Sequence, residues 1–178
     1  MTRAVRMGHH DINVLSEGDG ERHFTCLHGL VDTLDIWKRL APKLQDRGRV
    51  TRIDQRGHGQ SSAPPGPYSR ADLAADVVAV LDAEGIDQTI LVGHSMGGIV
   101  AMETALSYPD RIAGLVLIGT TSECREKIAG WYERIALAAM PKGRAELLRV
   151  PDKGHWLQIE AVDDVVAALD RWLEKFEL

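Results

Sequence analysis

This sequence has few cysteines, no excess of positive charge and no long apolar runs, and each of these features argues against a class of protein. The 178 residues include only two cysteines, too few for the framework of a disulfide-stabilised domain. Free thiols suit a reducing compartment, so we expect a cytoplasmic protein. The formal net charge is −5, and lysine and arginine are dispersed among acids, which predicts no nucleic-acid partner. The longest apolar runs are no longer than strands, so no membrane-spanning helix is expected.

Recognisable cofactor and metal motifs are also lacking. His9, His10 and His23 form no ligand pattern with the cysteines, so no metal is predicted. The loop DQRGHGQS at residues 54–61 lacks the Gly-Lys-Ser/Thr ending of a phosphate-binding loop. No acid follows it at the distance typical of dinucleotide sites. We interpret it as a loop that braces the mouth of a site, and we predict no cofactor.

Apolar residues make up 44% of the sequence, which suits one globular domain over residues 1–178. Strand-like and helix-like segments alternate along the chain. This alternation predicts an α/β fold with a mostly parallel, doubly wound sheet and helices on both faces. The predicted strands cover residues 2–7, 10–16, 22–27, 49–54, 89–92 and 113–118, and the predicted helices cover residues 35–44, 72–84, 96–108, 125–140 and 159–176.

The sequence GHSMGG at residues 93–98 is the most informative segment. It lies between the apolar runs 89–92 and 99–102, which predicts a strand, a sharp turn and a helix with Ser95 at the apex. Small neighbours allow strand and helix to approach closely at a strained turn, and the helix N-terminus favours developing negative charge. This arrangement is typical of the nucleophile of serine hydrolases. We interpret the neighbouring His94 as structural.

Four segments in one order resemble the α/β-hydrolase family. They are HGL at residues 28–30, DQRGHGQS at 54–61, GHSMGG at 93–98 and GHW at 154–156. The resemblance covers most of the chain. It implies an α/β-hydrolase fold of reduced size, with a small-molecule substrate and no required cofactor.

The resemblance also implies roles for individual residues. Ser95 would be the nucleophile, and His155 would be the general base that activates it. The backbone amides of Leu30 and Met96 would form the oxyanion hole. We expect His28 to shape the loop that carries Leu30 by hydrogen bonding.

A substrate pocket is implied by the same resemblance. His28 and Gly29 would border it on one side, and Trp131 and Trp156 on the other. Trp131 falls in residues 121–142, which we interpret as the remnant of a helical cap. Its aromatic side chain equally fits plain core packing.

The acid that would orient the histidine is the least defined residue. Glu123 follows the strand predicted at residues 113–118, where some relatives place their acid, although it comes a few residues late. Asp152 precedes His155 by three residues, but its surroundings, PDKG, are typical of a turn. We keep Glu123 as the candidate, and the family's usual acid has no recognisable counterpart in the sequence.

One strand of the family pattern is missing. Residues 145–150 resemble the last strand, and no segment before them reads as the acid-bearing strand. The pattern predicts a gap near Met140, whether a deletion or an omission from the sequence. A real deletion would shift His155 by about 4.8 Å, one strand spacing, although a general base must lie within roughly 3 Å of its hydroxyl.

The predicted activity is hydrolysis of a carboxylic ester, lactone or thioester of modest size. Aspartate replaces the serine in dehalogenase-like and epoxide-hydrolase-like relatives, so Ser95 argues against those chemistries. Carbon–carbon bond hydrolases, enol-lactonases and perhydrolases share the serine and stay open as alternatives. A further alternative is a truncated, catalytically impaired scaffold or small-molecule binding protein. Exposed strand edges in such a chain would favour a homo-oligomer.

Overall fold

The computed structural model describes residues 1–120 and 157–177, which contain a six-stranded sheet. The strands lie in the order β1-β2-β4-β3-β5-β6. β2 pairs antiparallel with β1 and β4, and the three remaining pairs are parallel. The predicted α/β fold with a mostly parallel sheet is therefore confirmed. The strands are β1 (Arg3–Met7), β2 (His10–Glu17), β3 (His23–Leu27), β4 (Arg49–Ile53), β5 (Thr89–His94) and β6 (Ile112–Ile118).

Five α-helices and two short 3-10 helices accompany the sheet in the described residues. The 3-10 helices are Leu34–Trp37 and Pro109–Arg111. The α-helices are α1 (Ala41–Gln45), α2 (Arg70–Glu84), α3 (Met96–Ser107), α4 (Leu157–Glu160) and α5 (Val162–Phe176).

The central strands are apolar on both sides, because helices cover both faces of the sheet. On β5, Ile90 and Val92 belong to the core shared with α1 and α5, whereas Leu91 belongs to the core shared with α2 and α3. Successive side chains of a strand point to opposite faces, so one apolar run serves two cores. This arrangement confirms the doubly wound architecture.

The single helix predicted over residues 35–44 is wrong. The chain instead forms the 3-10 helix Leu34–Trp37, a turn, and then α1. Pro42 explains the division: within one continuous helix it would lack the N–H for a bond to Lys38 and would crowd that carbonyl. In the structure Pro42 lies in the first turn of α1, where no intrahelical N–H bond is required.

α2 begins two residues before the predicted position because of a capping box. Ser69 Oγ accepts a hydrogen bond from the Asp72 amide at 3.1 Å, and the Asp72 carboxylate accepts one from the Ser69 amide at 2.8 Å. These bonds satisfy two N–H groups at the start of the helix. The helix ends at Glu84, as predicted, and is capped by Gly85, whose φ is 66°.

The predicted closing helix over residues 159–176 is two helices, with Ala161 between them outside helical geometry at φ −140°. α5 buries Val165, Val166, Leu169, Trp172 and Leu173. Trp172 packs so closely over β6 that a β-carbon at Gly114 would overlap its ring. Arg47 and Asp170 form an ion pair that joins the turn after α1 to α5, with Nη2 and Oδ2 2.6 Å apart.

Several predictions concern residues outside those described. The cap remnant at residues 121–142, the last strand at 145–150 and the gap near Met140 all fall there, and the organisation of residues 1–178 as one domain also stays a prediction. Among the residues described, no helix is both long and apolar enough to cross a membrane.

Candidate active site

Ser95 lies at the sharp turn between β5 and α3. Its backbone adopts φ 50° and ψ −116°, and it is one of three non-glycine residues with positive φ in the described residues. Its amide donates to the Ile118 carbonyl at 3.0 Å, which ties the turn to the end of β6. Such a backbone conformation costs about 1–3 kcal/mol and persists only where surrounding structure enforces it. The predicted strand, turn and helix are therefore present, with Ser95 partly exposed at the apex.

Two glycines allow this turn to close. A β-carbon on Gly93 would lie 2.6 Å from the Gly97 carbonyl oxygen. A β-carbon on Gly97 would overlap the carbonyl oxygen of Leu27 at the end of β3. Without side chains at these positions, α3 starts directly against the carboxyl ends of β3 and β5. The spacing of glycine around the serine thus has a steric cause.

The loop after β3 lies beside this turn. A β-carbon on Gly29 would lie 3.3 Å from Ser95 Cβ and 3.0 Å from His94 Nδ1. Leu30 follows Gly29 directly, and Met96 is the first residue of α3. The structure thus brings the segments that carry Leu30, Ser95 and Met96 together.

Val31 makes this loop unusual. Its φ is 58°, a conformation that β-branched side chains strongly disfavour. The Asp32 amide donates to the Gly29 carbonyl at 3.4 Å, which closes a tight turn around Leu30 and Val31. The two side chains are 63% and 89% exposed, so apolar surface faces outward next to Ser95. Sequence patterns give no sign of this strain.

The His28 ring lies behind the loop. Nε2 accepts a hydrogen bond from the Gln55 amide at 3.0 Å, so the ring proton is on Nδ1, which donates to the Gly29 carbonyl at 2.7 Å. Burial lowers the pKa of His28, and the neutral ring is favoured. These contacts agree with the expected loop-shaping role. The side chain has no exposed surface, so we do not assign it a direct substrate contact.

His94 is enclosed between the loop and the turn. It is 1% exposed, and its Nδ1 lies 3.8 Å from Asp32 Oδ2. This position supports the structural interpretation of His94. Asp32 is a carboxylate near the candidate nucleophile that sequence reasoning missed, because nothing in its neighbourhood distinguishes it from an ordinary turn residue.

Cys26 on β3 is not a second candidate nucleophile. Burial raises the pKa of the Cys26 thiol to about 12, so it stays protonated and unreactive at neutral pH. Within residues 1–120 and 157–177, no three histidine, cysteine, aspartate or glutamate side chains are grouped to hold a metal ion.

Four predicted site residues fall outside the described part of the chain. They are the base, the candidate acid and two pocket residues: His155, Glu123, Trp131 and Trp156. Their roles stay predictions, and so does the assignment of the Leu30 and Met96 amides as oxyanion donors.

Comparisons with known proteins agree with this architecture. Residues 22–139 match the family model described as the alpha/beta hydrolase fold. The 3-oxoadipate enol-lactonase 2 of Acinetobacter baylyi is 33% identical over 127 residues, which cover 71% of this chain and 47% of that protein. Epoxide hydrolase B of Mycobacterium tuberculosis is 43% identical over 93 residues, covering 51% of this chain and 26% of that protein.

A solved structure gives the same result. The crystal structure of a hydrolase from Pseudomonas aeruginosa superposes with a TM-score of 0.65 at 37% identity, covering 76% of this chain and 52% of that one. The chain spans less than half the length of the two curated relatives named above. The family match runs from the start of β3 past the end of β6 and so includes the whole turn around Ser95, which shows that this chain belongs to the α/β-hydrolase family.

Proposed function

We propose that this protein is a serine hydrolase that cleaves a carboxylic ester, lactone or thioester through an acyl-enzyme on Ser95. The observation that carries the proposal is the backbone of Ser95, held at φ 50° at the N-terminus of the twelve-residue helix α3. A strained turn of this kind is the geometry of a nucleophile elbow. The helix also places partial positive charge where an oxyanion would develop.

The proposed reaction proceeds in two halves. Ser95 Oγ attacks the substrate carbonyl while His155 takes the hydroxyl proton, and the amides of Leu30 and Met96 hold the oxyanion. Collapse of this intermediate expels the alcohol or thiol, which receives the proton from His155. Water then attacks the acyl-enzyme by the same route and releases the acid. Glu123 is the candidate that would orient the His155 ring.

The substrate class rests on the nucleophile and on the surface beside it. Serine supports acyl transfer, whereas epoxide-hydrolase-like members of the family use aspartate at this position. The relative named as an enol-lactonase supports an ester-like or lactone substrate. The exposed side chains of Leu30 and Val31 favour an apolar group next to the reacting carbonyl.

A labelling experiment tests this proposal. A fluorophosphonate is incubated with the protein, with Ser95→Ala and with Ser107→Ala, and intact masses are compared. Ser107 is a suitable control because it ends the same helix, where its hydroxyl donates to Glu103 at 3.1 Å. We expect one adduct in the unmodified protein and in Ser107→Ala, and none in Ser95→Ala.

The opposite result has a defined meaning. If the unmodified protein gains no adduct, the alternative of an impaired scaffold or small-molecule binding protein replaces the hydrolase. The short span of the chain relative to its relatives gives that alternative its weight. If labelling occurs, acid release from a p-nitrophenyl ester and from a γ-lactone separates the two substrate classes.

A further inference from the structure

The loop at residues 28–34 has little packing of its own at its tip. Leu30 and Val31 are 63% and 89% exposed, and Val31 is held at a disfavoured φ of 58°. A strained and exposed turn relaxes unless its two ends are fixed by other parts of the molecule. The contacts at those ends therefore decide where the Leu30 amide lies.

The first end of the loop is held by Gln55. Its backbone amide donates to His28 Nε2 at 3.0 Å, and its side-chain amide donates to the His28 carbonyl at 2.6 Å. Both groups are buried, where a hydrogen bond is stronger and its loss more costly than in water. One residue thus fixes both the ring and the backbone of His28.

The other end is held by the neighbouring residue, Asp54. Its Oδ1 accepts a hydrogen bond from the Leu34 amide at 2.7 Å. Its Oδ2 accepts from Asn13 Nδ2 at 2.8 Å and from the Gln60 amide at 3.0 Å. Asp54 is 2% exposed, so these three donors meet a carboxylate that is withdrawn from solvent. Hydrogen bonds to an ionised acceptor are about twice as strong as neutral ones.

Asp54 is itself held in place by its own loop and by β2. Gly59 has φ 55°, and a β-carbon there would overlap the Asp54 carboxylate, so only glycine lets this backbone come so near. Ser61 Oγ donates to the Asp54 carbonyl at 2.5 Å and accepts from the Asn13 amide at 2.8 Å. Both the side chain and the backbone of Asp54 are therefore held in place.

We propose that Asp54 and Gln55 are positioning residues that clamp both ends of the loop at residues 28–34 and so hold the Leu30 amide against Ser95. This inference rests on the proposed function, because it gives the Leu30 amide its task. The clamp comes from two consecutive residues at the carboxyl end of β4, which pairs directly with β3. A substitution of either residue would therefore alter the loop at residues 28–34 without a direct change to Ser95 or to a substrate contact.

The sharpest variant is Asp54→Asn, which keeps the shape of the side chain. Asparagine keeps one acceptor oxygen, but an NH2 group replaces the other oxygen. That NH2 group would face an N–H donor, which would then be left without an acceptor. A suitable control is Glu84→Gln, because Glu84 is also a buried carboxylate, paired with Arg3 and Arg49 at the end of α2. Gln55→Met removes only the side-chain donor to His28 and serves as the second, milder variant.

The first measurement is amide hydrogen exchange by mass spectrometry. For Asp54→Asn we expect peptides covering residues 28–34 to exchange about tenfold faster or more, since a charge-assisted hydrogen bond is lost. Gln55→Met should show a smaller acceleration in the same peptides and decides the matter if Asp54→Asn does not fold. Glu84→Gln should leave these peptides unchanged. Unchanged exchange at residues 28–34 in both clamp variants would overturn the proposal.

The second measurement is the kinetics of fluorophosphonate labelling. We expect Asp54→Asn to lower the rate of the covalent step about tenfold and to leave the reagent's binding constant within about twofold, because only the transition state uses the oxyanion donors. Faster exchange with an unchanged covalent step would also refute the clamp's role. If the unmodified protein is never labelled, the proposed function fails, whereas the exchange data still decide whether the clamp exists.

Discussion

The turn at residues 93–98 and the loop at residues 28–34 face each other at the carboxyl ends of β5 and β3, but they are held by different means. The turn is fixed by backbone packing: two glycines let α3 start against the sheet, and Ser95 bonds to β6. The loop is fixed by side chains that lie far away in the sequence, chiefly Asp54 and Gln55. The candidate nucleophile is thus positioned by steric fit, and its candidate oxyanion partner by buried hydrogen bonds.

Gly97→Ala tests the steric side of this comparison and should have the largest effect. The new β-carbon would overlap backbone atoms of Leu27 and His28, which cannot rotate away. We expect the free energy of unfolding to fall by about 3 kcal/mol, as for severe overpacking. Urea denaturation followed by circular dichroism measures the loss.

Gly85→Ala is the matched control for that substitution. Gly85 has φ 66°, but a β-carbon there would meet no atom within 4 Å. Only the backbone penalty of about 1 kcal/mol applies. Equal losses for the two variants would show that close approach at Gly97 is not what holds the turn.

The hydrogen-bonded side of the comparison predicts a pH dependence at His28. Burial lowers its folded pKa, so below about pH 6.5 the unfolded chain binds a proton that the folded chain does not. Stability from this group should therefore fall as the pH drops, by at most about 1.4 kcal/mol per pH unit. Denaturation at several pH values should show a smaller slope for His28→Gln.

The protonation state of His28 can also be observed directly. Imidazole nitrogen spectra should show the His28 ring becoming charged at a lower pH than a free histidine does, with a neutral ring that carries its proton on Nδ1 at pH 7. A charged His28 at that pH would mean that the bond from the Gln55 amide to Nε2 is absent in solution.

The smallest expected effect concerns the strain at Val31. Glycine adopts φ 58° without penalty, whereas alanine keeps the β-carbon that makes this conformation unfavourable. Val31→Gly should therefore be more stable than Val31→Ala by about 1 kcal/mol in thermal unfolding. If alanine proves equal or better, the loop is not strained at this position.

The same comparison explains what the sequence could and could not predict. The strand, turn and helix around Ser95 were predictable because apolar runs and glycine spacing are local signals. The conformation of Val31 was not, because the loop that contains it is held at Leu34 by Asp54, which follows Leu34 by twenty residues in the chain. The prediction of one helix over residues 35–44 was wrong although the signal against it is local, because Pro42 outweighs apolar periodicity.

The family resemblance predicted more of the candidate site than the local patterns of single segments did. It brought HGL at residues 28–30 and the serine at residue 95 into one site, and the structure places these segments side by side. The sequence indicated that residues 54–61 brace the site, but not which atoms do so. A buried carboxylate that accepts hydrogen bonds from β2, from the loop at residues 28–34 and from its own loop leaves no periodic pattern in the sequence.

The buried thiol of Cys26 can serve as a chemical reporter of how often the sheet opens. Cys26 lies on β3, between β4 and β5, and its pKa of about 12 leaves almost no thiolate while the fold is intact. A thiol-specific reagent can therefore modify this residue only after the strands part. With Cys124 replaced by serine, the rate of modification would report how often the centre of the molecule opens, without denaturant and without a substrate.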